Sequence, residues 1–198
     1  MVVTNQEWIW RGRAKGKDGQ KKLLAQALRK PMTVKELLTA MRLIYPTMGL
    51  RDVTRLLRKF EERNLIQCLT PKETEGRYYY FTDSGRRLTR KAFGMLVKPI
   101  PRLINWPKYA RATRSQIRRL VLLALNSPWP EKGMTITAVR KRLNEKYPVA
   151  LGVVSRAMRE LRDLNLIRHI GLARKRSSPI YAPTLIGRRI INLLSASN

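Results

Sequence analysis

Apolar residues recur along the chain first at helical and then at alternating spacing, and the whole progression occurs twice. Within residues 20–30, Leu23, Leu24, Ala27 and Leu28 fall three and four apart, as one face of a helix requires; Ile117, Leu120, Val121 and Leu125 repeat this within residues 116–126. A second helix is expected after Thr33, an N-cap residue with Glu36 placed to complete a capping box, and it carries Leu37, Leu38, Met41 and Ile44. Its twin begins near Thr135 or Thr137 and carries Val139 and Leu143, with Pro46 and Pro148 ending the pair. In a third helix Leu50, Val53, Leu57 and Phe60 are expected to face inward, matched by Leu151, Val154, Met158 and Leu161. Asn64 and Asn165 follow, where a left-handed residue is needed and asparagine serves best after glycine. Residues 65–69 with 77–81, and 166–171 with 179–182, read as two β-hairpins. Thr82 and Thr184 then N-cap a last helix in each copy. The expected class is mainly α with small β-hairpins, an α+β chain.

The two copies match residue for residue at their landmarks. Met32-Thr33 returns as Met134-Thr135 and Tyr45-Pro46 as Tyr147-Pro148. Val53, Arg55, Arg58 and Asn64-Leu65-Ile66 return as Val154, Arg156, Arg159 and Asn165-Leu166-Ile167; Tyr79, Thr82 and Gly85-Arg86-Arg87 return as Tyr181, Thr184 and Gly187-Arg188-Arg189. A collinear set of this length implies duplication. The expected organisation is a basic arm over 1–18, a first domain over 19–93, a basic, proline-rich linker over 94–114 and a second domain over 115–198.

Charge changes the picture from a fold to a function. The 198 residues hold 42 Lys plus Arg against 13 Asp plus Glu, a net charge of +29, while 43% of residues are hydrophobic. A chain this apolar builds cores, so the charge lies on folded surfaces and calls for a polyanionic partner. Both domains are basic, with 17 basic against 7 acidic residues in the first and 16 against 4 in the second. The linker is apolar as well as basic, with Ile100, Leu103, Ile104 and Trp106, which suits a segment packed on a domain. Arg11, Arg13, Lys15 and Lys17 form an arm able to lie along phosphates.

The run from Leu57 to Ile66, Leu-Arg-Lys-Phe-Glu-Glu-Arg-Asn-Leu-Ile, with the later Tyr80-Phe-Thr-Asp-Ser-Gly, resembles the recognition helix and wing of winged helix-turn-helix proteins of the MarR or PadR kind. The second copy carries Met-Arg-Glu-Leu-Arg-Asp-Leu-Asn-Leu-Ile from Met158 and Tyr181-Ala-Pro-Thr-Leu-Ile-Gly. Asn stands in both turns where that family usually has Gly. The resemblance implies two tandem winged-helix domains whose third helices enter the DNA major groove while the hairpin wings touch the backbone. It assigns DNA contact to Arg51, Thr54, Arg55, Arg58 and Lys59 in the first copy and to Ser155, Arg156, Arg159 and Arg162 in the second. Arginine suits the role because its fork binds guanine edges or phosphates at two points. Wing two carries Arg174, Lys175 and Arg176, and wing one Arg77 beside Glu73 and Glu75, so wing two is expected to be the stronger phosphate contact. Arg86, Arg87, Arg188 and Arg189 place cations at helix starts, which favour anions, and are read as phosphate binders.

The partner implied is double-stranded DNA, bound by a transcription regulator, replication initiator or DNA-architectural protein. Two joined modules let a monomer act as a dimer of single modules does, with half-sites about one turn, ~34 Å, apart. Unequal recognition helices predict an asymmetric site. The alternatives are a component that binds RNA or a ribonucleoprotein, and a polymerase-associated adaptor using Trp8, Trp10 and wing one. A membrane surface fits poorly, because the basic residues are spread over folded domains. His169 and Cys68 stand alone, and no phosphate-cradling glycine loop or metal-ligand spacing occurs, so neither catalysis nor a cofactor is expected. A single cysteine and the absence of a secretory pattern at the N-terminus suggest an intracellular setting, cytoplasm or nucleoid.

Overall fold

The computed structural model describes residues 17–101, 103–126, 133–172 and 178–195. These fall into two units, Met1–Arg102 and Leu103–Asn198, and the same order of elements runs through both. The first holds α1 (Lys17–Ala27), β1 (Met32–Thr33), α2 (Val34–Arg42), α3 (Leu50–Glu62), β2 (Ile66–Cys68), β3 (Tyr78–Phe81) and α4 (Asp83–Phe93). The second adds α5 (Trp106–Thr113) before α6 (Gln116–Ala124), β4 (Met134–Thr135), α7 (Ile136–Asn144), α8 (Leu151–Asp163), β5 (Ile167–Leu172), β6 (Pro179–Pro183) and α9 (Leu185–Ser195). The class is α+β: helices with two small antiparallel sheets, ordered β1-β3-β2 and β4-β6-β5.

Local chemistry explains the helix starts. Thr33 Oγ1 accepts the Glu36 N–H at 3.2 Å while the Glu36 carboxylate accepts the Thr33 N–H at 2.7 Å, closing the expected capping box. Thr135 caps α7 through the Ala138 N–H, which settles the choice between Thr135 and Thr137. Asn64 and Asn165 take φ of 53° and 55°, reversing the chain out of α3 and α8 into their hairpins.

The core of the first unit is built from Leu24, Leu28, Leu37, Met41, Val53, Leu57, Phe60 and Phe81. Val121, Leu122, Val139, Val154, Met158, Leu161, Ile190 and Ile191 are buried in the second. Leu50 and Leu151, expected inside, are 49% and 43% exposed. The buried stripe of α3 begins one turn later, at Val53, and takes in Leu56 as the i+3 neighbour that helical geometry supplies. Ile44 is also corrected, at 62% exposed. The N–H groups of Ile44 and Tyr45 both turn back to the Met41 carbonyl, so α2 ends at Arg42, ahead of Pro46; Lys146 and Tyr147 do the same at Leu143.

Three elements lie outside the sequence expectation. β1 and β4 pair with β3 and β6, with Met32 opposite Tyr79 and Met134 opposite Tyr181. Two-residue strands carry no alternation to read. The span 94–114 is a linker only in part, since it contains α5, N-capped by Asn105. Trp106 is buried against Tyr109, ring centroids 5.4 Å apart. Earlier in that span, Met95 is buried and the Lys98 carbonyl accepts the Tyr80 hydroxyl at 2.7 Å within the first unit. Among the described residues no helix is long and apolar enough to cross a membrane.

Candidate nucleic-acid interface

Each unit fixes the turn before its third helix with an arginine from the helix preceding it. Arg42 Nε donates to the Met48 carbonyl at 3.0 Å, and Arg140 Nε to the Val149 carbonyl at 3.2 Å. The Asp52 carboxylate accepts the Gly49 N–H at 3.0 Å and seats the start of α3. Neither arginine stood out in the sequence, because an arginine serving a backbone carbonyl looks like any other basic residue on a helix face.

The far ends of α3 and α8 are held by a second repeated device. Thr82 Oγ1 donates to the Asn64 carbonyl at 2.7 Å, and the Thr82 N–H to the Leu65 carbonyl at 3.0 Å. Thr184 repeats both bonds to Asn165 and Leu166 at 2.9 Å. The last helix then passes so close that a Cβ on Gly85 would lie 1.8 Å from the Leu65 carbonyl oxygen, and one on Gly187 2.0 Å from that of Leu166. The glycine of the repeated Gly-Arg-Arg is therefore a packing requirement.

Between these anchors, α3 turns Arg51, Thr54, Arg55, Arg58 and Lys59 to solvent. Leu50, Arg51, Thr54, Arg55 and Arg58 line one shallow concavity, so four of the five expected residues come together. Arg51, Arg55 and Arg58 have no ion-pair partner among the described residues. On α8, Arg156 and Arg159 are exposed at the positions of Arg55 and Arg58. Lys59 is replaced by Glu160, whose carboxylate holds Arg156 Nε at 3.0 Å and Arg118 Nη1 at 3.1 Å. The Arg156 pair is exposed and so weakly bound, by well under 1 kcal/mol or so. Arg162 lies 3.6 Å from Asp163. Ser155 is half-buried and lines a separate concavity with Leu151, Gly152, Thr135, Ile136 and Pro179.

The remaining expected residues divide. Arg77 Nε donates to the Glu73 carbonyl at 2.9 Å, so this guanidinium is engaged with its own hairpin loop. Partial burial pushes the Glu61 carboxyl up, with Arg77 pulling it down. Arg87 and Arg188 are exposed. Arg86 is turned inward: its side chain is 23% exposed, Nη2 lies 2.6 Å from Asp83 Oδ1 and Nε is buried without an acceptor. Arg189 donates to the Leu103 carbonyl at 3.3 Å. The repeated Arg-Arg pair thus does different work in the two units. Arg174, Lys175 and Arg176, and the arm residues Arg11, Arg13 and Lys15, lie outside the described residues. His169 is exposed on β5 with its ring 6.0 Å from that of Tyr181.

Among the described residues no group of three or more His, Cys, Asp or Glu side chains is placed to hold a metal ion. No family model and no curated protein matches the chain, so the second copy is the relative against which the first is read. By that comparison the third-helix surface common to both copies comprises the exposed leucine at its start, a hydroxyl residue and the Arg-x-x-Arg pair that follows it.

Proposed function

We propose that the chain binds double-stranded DNA through two winged helix-turn-helix modules, with α3 and α8 in the major groove and the flanking basic segments on the backbone. The observation that carries the reading is the recurrence of Arg55-x-x-Arg58 as Arg156-x-x-Arg159 on the exposed face of a third helix whose other face is core, each pair preceded by a hydroxyl residue, Thr54 or Ser155. A structural role would not require the same guanidinium spacing twice on the solvent side. A groove-reading role does, because one turn of helix then offers two forks to neighbouring base pairs or phosphates. The element order shared by the two copies supports the same reading: three helices, with a short strand after the first of them that pairs with the later hairpin, and a final helix after the hairpin, the second copy being preceded by α5.

The two modules are not interchangeable readers. Arg51 and Lys59 of α3 are Gly152 and Glu160 in α8, whereas Glu61 is replaced by Arg162. The expected site is asymmetric, and the activity is binding in the service of transcription, replication or DNA architecture. The test is competition between duplex DNA and structured RNA of equal length, with R55E/R58E and R156E/R159E variants of the full chain. Preference for the duplex, lost with either pair, supports the proposal; equal or better binding of RNA overturns it.

A further inference from the structure

The first residue of each third helix is a leucine held half out of the protein. Leu50 is 49% exposed and Leu151 43%, although the sequence pattern assigns both to the core. A single exposed leucine needs no explanation. The same residue exposed at the same position of two copies that differ at their neighbours, Arg51 against Gly152 and Asp52 against Val153, does. The surroundings identify what would cover it. Leu50 shares its concavity with Arg51, Thr54, Arg55 and Arg58, a cationic rim that admits a polyanion and disfavours an ordinary apolar protein surface. The Thr54 hydroxyl donates to the Leu50 carbonyl at 2.9 Å, which commits its donor to the helix backbone and leaves an apolar contribution to the floor. In the second unit Leu151 lies beside Ser155, with Ile136 and Pro179 adding apolar surface.

The apolar group that duplex DNA offers among its major-groove acceptors and donors is the 5-methyl of thymine. We infer that Leu50 and Leu151 are specificity residues that pack on thymine methyl groups, while Arg55 and Arg58, or Arg156 and Arg159, hold the neighbouring guanines or phosphates. This rests on the proposed DNA-binding function and adds to it a base preference for each module.

The test enriches 30-bp duplexes from a random pool with the full chain and then resynthesises the enriched sequences with deoxyuridine in place of thymidine, which removes the methyl and nothing else from the base edge. Burial of one methyl-sized group corresponds to about fourfold in affinity, so the wild type should lose roughly fourfold for each thymine read. The L50A and L151A variants should each lose one such factor on the thymine duplex and show a correspondingly smaller uracil effect; the double variant should bind both duplexes alike. L50Q and L151Q, which keep the length of the side chain, should behave as the alanine variants do, with melting temperatures checking that the fold survives. Equal wild-type affinity for the thymine and uracil duplexes overturns the inference, as does an unchanged ratio in the double variant. Failure to enrich any sequence overturns it too while leaving nonspecific DNA binding standing. Absence of duplex binding altogether removes the proposed function itself.

Discussion

Replacing Gly85 by alanine puts a methyl group 1.8 Å from the Leu65 carbonyl oxygen, where real side chains stay beyond 3.0 Å, so helix and carbonyl must separate by more than an ångström. The obstacle is backbone on both sides and cannot swing away. Overpacking of this kind costs about 1–3 kcal/mol. The same movement opens the Thr82 bonds to the Leu65 and Asn64 carbonyls, each worth about 1 kcal/mol. The sum, about 3–5 kcal/mol, is a large share of the 5–15 kcal/mol that holds a small domain. At about 4–8 °C per kcal/mol for a unit of this size, the first unit should melt roughly 12 °C or more below the wild type. G187A should do the same to the second unit, where the distance is 2.0 Å. G152A is the control: its Cβ meets nothing within 4 Å, and alanine for glycine in the first turn of α8 should leave stability unchanged or raise it by a few tenths of a kcal/mol. Calorimetry of the full-length variants, with amide exchange to assign each transition to its unit, provides the readout. A G85A protein that melts with the wild type, or a G152A protein as damaged as G85A, would refute the argument from close approach.

Other expectations follow from single contacts. Asn64→Gly and Asn165→Gly should each raise stability by a few tenths to about 1 kcal/mol in urea titration, and the alanine changes lower it by about 1–2 kcal/mol, because φ near 55° is costly for any side chain but tolerated by asparagine. Burial raises the Tyr80 hydroxyl pKa, with the Arg86 cation acting against it. The neutral phenol is thus favoured in the fold, and its contribution is whole below about pH 10 and lost as pH climbs through the raised value. Tyr80→Phe should soften that alkaline loss in melts above pH 10 while costing about 0.5–1.5 kcal/mol at neutral pH for the bond to Lys98. Burial also raises Tyr79, aided by the neighbouring Cys68 and Glu61 and opposed by Arg77, so part of the alkaline loss should persist. Glu160→Gln should release Arg156 and tighten duplex binding, with a stability change of about 1 kcal/mol or less because the pairs are partly exposed.

Much of this protein was legible from its repeat. Helix order, the Thr33 capping box, the left-handed asparagines and the hairpins all rest on signals within a few residues of one another, and a second copy doubles each signal. What escaped depends on contacts distant in sequence or on geometry too short to pattern. Leu50 and Leu151 fit a core stripe by spacing alone, and only the packing of the neighbouring helices decides that it begins at Val53 and Val154. The Gly-Arg-Arg motif shows its charge in the sequence, whereas the part with the same role in both units is the glycine under the Leu65 and Leu166 carbonyls. Arg86 and Arg189 could not be told from exposed arginines, because their acceptors, Asp83 and the Leu103 carbonyl, are set by helix rotation and chain path. The helix within 106–113 was hidden by the prolines around it, although Asn105 before Trp106-Pro107 is an N-cap followed by an early-helix proline.

The account turns on whether the paired Arg-x-x-Arg faces hold nucleic acid. The direct measurement is the affinity of the full chain for a 30-bp random duplex between 50 and 200 mM salt, beside a variant carrying R55A, R58A, R156A and R159A. Six to ten phosphate contacts predict a wild-type loss of about 10³–10⁵ over that range. Each substituted arginine that meets a phosphate should lower the salt slope by about one, so the variant should bind much more weakly and with a slope two to four units shallower. A variant with wild-type affinity and slope would contradict the account, since the charge that attracts DNA would then lie elsewhere on the chain.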